Sequence, residues 1–106
     1  MPRQYNTDKR GNTFSSIIIY EVWEKGKVIP GINPSQRRKD ICGAIIDFNQ
    51  YGINRENGTG WEIDHIYPVS LGGSDSIDNL QPLQWENNRH KGDVYPNWSC
   101  AKKSTD

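Results

Sequence analysis

The chain has 106 residues, 13 Lys+Arg balanced by 13 Asp+Glu, and a hydrophobic fraction of 33%. That length fits one domain with one modest core, and zero formal net charge with a pI of about 6.7 argues against a protein held on nucleic acid by bulk charge alone, while leaving room for a local basic surface. No apolar run approaches the ~20 residues that span a bilayer, and "MPRQYNTDKRGNTF" lacks the apolar core of a signal peptide, so no membrane association and a cytoplasmic setting are expected.

Residues 1–14 are polar and read as a mobile or edge segment. "SSIIIYEVWEKGKVI" reads as an extended run, because Ile, Val, Tyr and Trp favour strands, with "EKGK" as a turn. A hairpin and the end of a helix over residues 15–24 both fit. "PGINPSQ" holds two prolines and a glycine and is a loop. "RRKDICGAIIDFNQYG" turns from basic to apolar around Ile41, Ala44, Ile45 and Phe48, which suits a short strand or a helical turn. "INRENGTG" is a loop of turn formers.

"WEIDHIYPV" then predicts a strand carrying Trp61, Ile63, Ile66 and Val69 and bending near Pro68. "SLGGSDS" is turn chemistry, since Gly72 and Gly73 tolerate positive φ. After "IDNLQP", "LQWENNRHK" has helical composition, and Gly92 suits the position just past a helix end. The tail "VYPNWSC" is expected to pack back through Tyr95 and Trp98. Four Trp and five Tyr can each bury on the order of 150–250 Å², so aromatics should dominate the core, with Trp61 and Trp85 in it. Cys42 and Cys100 form no CxxC motif and cannot make a four-ligand zinc site. In a reducing compartment they are expected as buried small hydrophobes; a disulfide is the alternative for an exported chain.

Both histidines fall in residues 61–93. Asp64 offers a hard oxygen ligand for Mg²⁺ or Mn²⁺, and a neighbouring imidazole such as His65 can accept a proton near neutral pH. Together they suit metal-assisted hydrolysis. On the predicted helix, Gln84, Asn88 and Lys91 share one face. The Asn88 amide oxygen can complete a metal's protein ligands there, and Lys91 can meet a phosphate. Taken singly, each residue has an ordinary reading: a DH pair as surface decoration, Asn79 as a turn residue, Gln84 and Asn88 as solvent-facing positions. The combination, in order and at these spacings, points to chemistry.

That combination resembles the HNH endonuclease motif of the ββα-metal class: Asp64-His65, Pro68, Gly72-Gly73, "IDNLQPL" with Asn79, and "NNRHKGD" with Asn88 and Lys91. The resemblance implies an α+β fold, a small ββα-metal nuclease core at about 61–93 within one 1–106 domain, with an N-terminal extension of strands and loops in which residues 15–60 are supporting. It implies His65 as the general base, Asp64 and Asn88 as metal ligands in an H-N-N variant, and Asn79 as the residue that holds the loop and orients His65. Arg89, His90 and Lys91 would face nucleic acid. His90 is the alternative ligand to Asn88, but the two lie about 200° apart on a helix, and Asn88 is preferred.

One divalent ion is implied, Mg²⁺ first and Mn²⁺ or Ni²⁺ as alternatives, with DNA, duplex DNA preferred, as substrate for a monomer or homodimer. Many family members bind a structural zinc through two CxxC pairs. Here Gln84 and Asn87 stand where the downstream cysteines would be, so no structural zinc is expected, and Trp61, Trp85 and Trp98 are expected to pack in its place. Adjacent strand residues point to opposite faces, so Asp64 and His65 can serve one phosphate only if the strand ends or twists there. The competing readings are a non-catalytic DNA-binding module on the same scaffold and a purely structural domain stapled by its cysteines.

Overall fold

The computed structural model describes residues 3–104. The order is helix α1 (Ser16–Trp23), strands β1 (Arg37–Lys39) and β2 (Ile45–Asp47), strands β3 (Trp61–His65) and β4 (Leu80–Gln84), then helix α2 (Trp85–Lys91). The strands form two antiparallel pairs, β1 with β2 and β3 with β4. In the second pair Trp61 faces Gln84 and His65 faces Leu80. α2 follows β4 without a linker, so β3, β4 and α2 make the strand–strand–helix unit inside an α+β fold. Among the described residues, no helix is long and apolar enough to cross a membrane.

Residues 16–23 are a helix, which corrects the extended reading. Strand propensity was outweighed by helical spacing: Ile18, Ile19, Val22 and Trp23 fall on one side. Val22 and Trp23 are fully buried, while Ile17 is 71% exposed. Ser15 caps the helix, its hydroxyl accepting from the Ile18 N–H at 3.2 Å. The turn that follows sends Lys27 to pair with Lys39, beside β1, and makes no hairpin with residues 15–24.

The core gathers Val22, Trp23, Ile46, Trp61, Ile63 and Leu80, with Phe48 and Tyr51 packed against it. Trp61 meets Trp23 at 5.3 Å and Tyr51 at 4.9 Å between ring centroids. Trp61 is therefore central, as expected, but Trp85 and Trp98 are only half-buried. Trp85 donates its indole N–H to the Arg55 carbonyl at the surface, and Tyr95 is exposed. The tail docks by another route. Asn87 Oδ1 accepts from the N–H groups of Ala101 and Lys102, Asn87 Nδ2 donates to the Lys102 carbonyl, and Ser104 N–H donates to the Gly43 carbonyl.

This docking brings Cys100 to the β1–β2 turn, where it forms a disulfide with Cys42 at a Cα separation of 5.8 Å. The expectation of two reduced, buried thiols is thereby corrected, and a disulfide, which persists in oxidising surroundings, weighs against the cytoplasmic expectation. The bond closes a loop with a sequence separation of 58. Replacing both cysteines by serine should cost about 2–4 kcal/mol, read as a lower denaturant midpoint at an unchanged slope. A midpoint equal to that of the parent protein would contradict it.

Gln84 and Asn87 are tied to one buried carboxylate. Asp40, 1% exposed, accepts from the Cys42 and Ala44 N–H groups through Oδ1, and from Gln84 N–H and Asn87 Nδ2 through Oδ2, at 2.9–3.0 Å. A polar hub thus joins the β1–β2 turn to the start of α2. The expected Trp61–Trp85–Trp98 packing does not form there.

Candidate active site

All five residues of β3 are buried. Its pleat sends Glu62 and Asp64 toward α2. Trp61 and Ile63 go into the core, and His65 follows them in alternation. Because β3 ends at His65, Asp64 and His65 nonetheless line one cleft of about 650 Å³, together with Asn88. The opposite-faces difficulty is met by the strand's termination.

The loop that leaves His65 is held by Asn79. Its Oδ1 accepts from Tyr67 N–H at 2.8 Å, and its Nδ2 donates to the carbonyls of Tyr67 and Ser74 at 3.1 and 2.8 Å. Its backbone carbonyl takes the Ile66 N–H at 2.8 Å. The two glycines differ in purpose. Gly72 has φ +102°, and a Cβ on Gly73 would meet the Tyr67 carbonyl oxygen at 1.7 Å. One permits the turn and the other the close approach.

Asp64 Oδ1 receives the Lys91 ammonium at 3.1 Å and Oδ2 receives Gln81 Nε2 at 2.9 Å. Lys91 is buried and also donates to the His65 carbonyl at 3.1 Å. Its cation faces the site's own carboxylate instead of the exterior where a phosphate would be met. Burial pushes the Asp64 carboxyl above the ordinary carboxylate range, against the hydrogen bond from Gln81 and the charge of Lys91, which pull it down. A carboxyl raised in the folded state takes up protons there first. Its contribution to stability therefore falls as pH rises through the window between its ordinary and raised values. If Asp64 holds a cation, the same window would limit its binding: affinity for Mn²⁺, measured by calorimetry, should weaken on acidification above the pH at which an exposed aspartate protonates. An affinity flat down to the ordinary carboxylate range would contradict this.

Glu62 sets the orientation of Asn88. Its buried carboxylate accepts from Asn88 Nδ2 at 2.8 Å and from Arg89 Nη2 at 2.9 Å. A carboxylate only accepts, so the Asn88 amide must turn its nitrogen to Glu62. Its oxygen makes no hydrogen bond among the described residues and Asn88 borders the cleft. Arg89 is further fixed over the Tyr5 ring at 4.1 Å and near Trp85 at 5.2 Å. His90 is exposed, with Nε2 3.2 Å from Ser99 Oγ, and borders a separate surface hollow with Trp98. Gln84 does not share the Asn88 face. It ends β4 and caps α2, its Oε1 accepting from the Glu86 and Asn87 N–H groups.

The sequence reading missed three contributors. Glu62 and Asp75 are carboxylates whose partners lie 26 and 10 positions away. The third is the N-terminal segment, which is not a loose end: Asn6 Oδ1 accepts from Ile63 N–H at 2.8 Å, and Arg3 and Lys9 line the cleft beside Asp64 and His65. The visible signal was "EIDH", in which alternation places Glu62 on the Asp64 face.

The chemistry of the donors fits a hard divalent cation. Asp64 and Asn88 would offer oxygen ligands to such an ion, which usually keeps several waters and is shared with phosphate. Among the described residues no three or more His, Cys, Asp or Glu side chains gather into a full metal cage, which a two-ligand site does not require.

The site is a strand–loop–strand–helix unit with a histidine at the end of the first strand, a carboxylate beside it and an amide on the helix. Residues 47–97, just under half of the chain, match the family model described as HNH endonuclease. No curated protein and no solved structure matches it.

Proposed function

We propose that the protein is a metal-dependent endonuclease that hydrolyses DNA phosphodiester bonds. The observation that carries this reading is the convergence of His65, Asp64 and Asn88 on one cleft. His65 takes a proton from a water molecule, and the resulting hydroxide attacks the phosphorus in line. The bond from phosphorus to the 3′ oxygen breaks, leaving a 5′-phosphate and a 3′-hydroxyl whose proton comes from solvent. Asp64 and Asn88 would hold a divalent cation, Mg²⁺ before Mn²⁺ or Ni²⁺, which would supply Lewis-acid stabilisation of the charge on the leaving oxygen. Asn79 keeps the loop closed behind His65, and Glu62 holds the Asn88 amide nitrogen, which would leave its oxygen for a cation. Arg3 and Lys9, which line the cleft, are the phosphate contacts; Arg89 steadies the Tyr5 segment, and Lys91 acts on Asp64.

A second reading, a module that binds DNA without cutting it, is favoured by the Lys91 ammonium already seated on Asp64. Conversion of supercoiled plasmid to the open circle in Mg²⁺ or Mn²⁺, abolished by EDTA, is the result expected for the endonuclease. Salt-dependent binding with intact plasmid under every divalent ion is the result expected for the module.

A further inference from the structure

We infer that Asp75 is a positioning residue for His65, holding its imidazole in the Nε2–H tautomer so that Nδ1 is the atom that takes the proton. The structural part stands on geometry alone; its kinetic consequence rests on the endonuclease reading.

His65 Nε2 lies 2.8 Å from Asp75 Oδ1. A carboxylate only accepts hydrogen bonds, so Nε2 must carry the hydrogen, and in a neutral imidazole the lone pair then resides on Nδ1. Nδ1 makes no hydrogen bond among the described residues, and His65 borders the cleft that Asp64 and Asn88 also border. The side chain of His65 is 3% exposed, so solvent does not compete for this hydrogen bond. On one side the imidazole meets the Phe14 ring, 6.1 Å away between centroids.

Asp75 is held in turn. The Lys9 N–H donates to its Oδ1 at 3.1 Å and lies 3.3 Å from its Oδ2. The N–H of Ser76, the next residue, donates to Ser74 Oγ, and Ser74's carbonyl is bound by Asn79. A segment 66 positions away in sequence therefore sets the carboxylate, and the carboxylate sets the imidazole. Orienters of this kind lock tautomer and ring angle.

The test uses the full chain and two readouts. Long-range ¹H–¹⁵N spectra assign the His65 tautomer in the wild type, in Asp75→Ala and in Asp75→Asn. Plasmid nicking in Mn²⁺ gives kcat and KM for the same proteins. The wild type should show the Nε2–H form. Asp75→Ala should show a mixture or the Nδ1–H form, and a kcat lower by at least about tenfold with KM little changed. Asp75→Asn keeps an acceptor oxygen for Nε2–H and should recover most of both. An Nδ1–H wild type, or an unchanged tautomer in Asp75→Ala, overturns the assignment. Should the wild type nick nothing, the endonuclease reading falls, and the wild-type tautomer alone upholds or overturns the role of Asp75. Asp75 is one-third exposed, so its replacement leaves the core intact; an Asp75→Ala protein that did not fold would leave the wild-type tautomer to decide.

Discussion

His65→Ala should fold, bind Mn²⁺ with nearly the affinity of the parent, and lose on the order of 10²–10⁴ in nicking rate. The size follows from its place in the cleft. The imidazole ends β3, and its neighbours are a carboxylate and an aromatic ring. No other imidazole lines that cleft, since His90 lies at the surface. Retained Mn²⁺ binding separates loss of the base from loss of the metal, because the proposed ligands Asp64 and Asn88 keep their partners Lys91, Gln81 and Glu62. A variant that nicks at the parent's rate would refute the role of His65 as base. Activity lost together with Mn²⁺ binding would make His65 a ligand.

Asp40→Ala should be the most destabilising single substitution, by about 4 kcal/mol or more. Four donors lose an ionised acceptor at once. Hydrogen bonds to charged groups contribute roughly 1.5–3 kcal/mol each, and donors left buried without a partner are costly. Gln84 N–H and Asn87 Nδ2 cannot turn to water, since both residues are fully buried. Chemical denaturation with the Cys42–Cys100 bond intact isolates the effect of the hub from that of the disulfide. The two are coupled, because Asn87 also anchors Ala101 and Lys102 beside Cys100. In a double-mutant cycle the losses from Asp40→Ala and from removing the disulfide should therefore not add. A loss under 1 kcal/mol for Asp40→Ala would mean that the start of α2 is held by packing alone.

The strand–turn–strand–helix unit was legible because its constraints are local. A histidine after a β-patterned run, a Gly-Gly turn and an asparagine at a fixed spacing define one compact loop, and the loop's hydrogen bonds close within residues 66–79. What escaped depends on pairings across the chain. α1 stayed one of two readings because three consecutive isoleucines prefer strands, a preference that yields to burial of Val22 and Trp23. The Asp40 hub, the Asn6 contact to β3 and the Lys9–Asp75 contact join residues 44, 57 and 66 positions apart, which composition and periodicity do not reveal. Gln84 was placed on the helix face because its composition suits a helix, yet its amide is turned back as a cap. The disulfide needed the tail's docking through Asn87, which a half-buried Trp98 does not announce.

The most direct measurement of the proposed hydrolysis is the nature of the ends it leaves. Plasmid nicked by the protein in Mg²⁺ or Mn²⁺ should be resealed by DNA ligase without prior end repair, because breaking the bond to the 3′ oxygen leaves a 5′-phosphate and a 3′-hydroxyl. Plasmid that stays supercoiled with every divalent ion, or nicks that ligase cannot close, would contradict the mechanism.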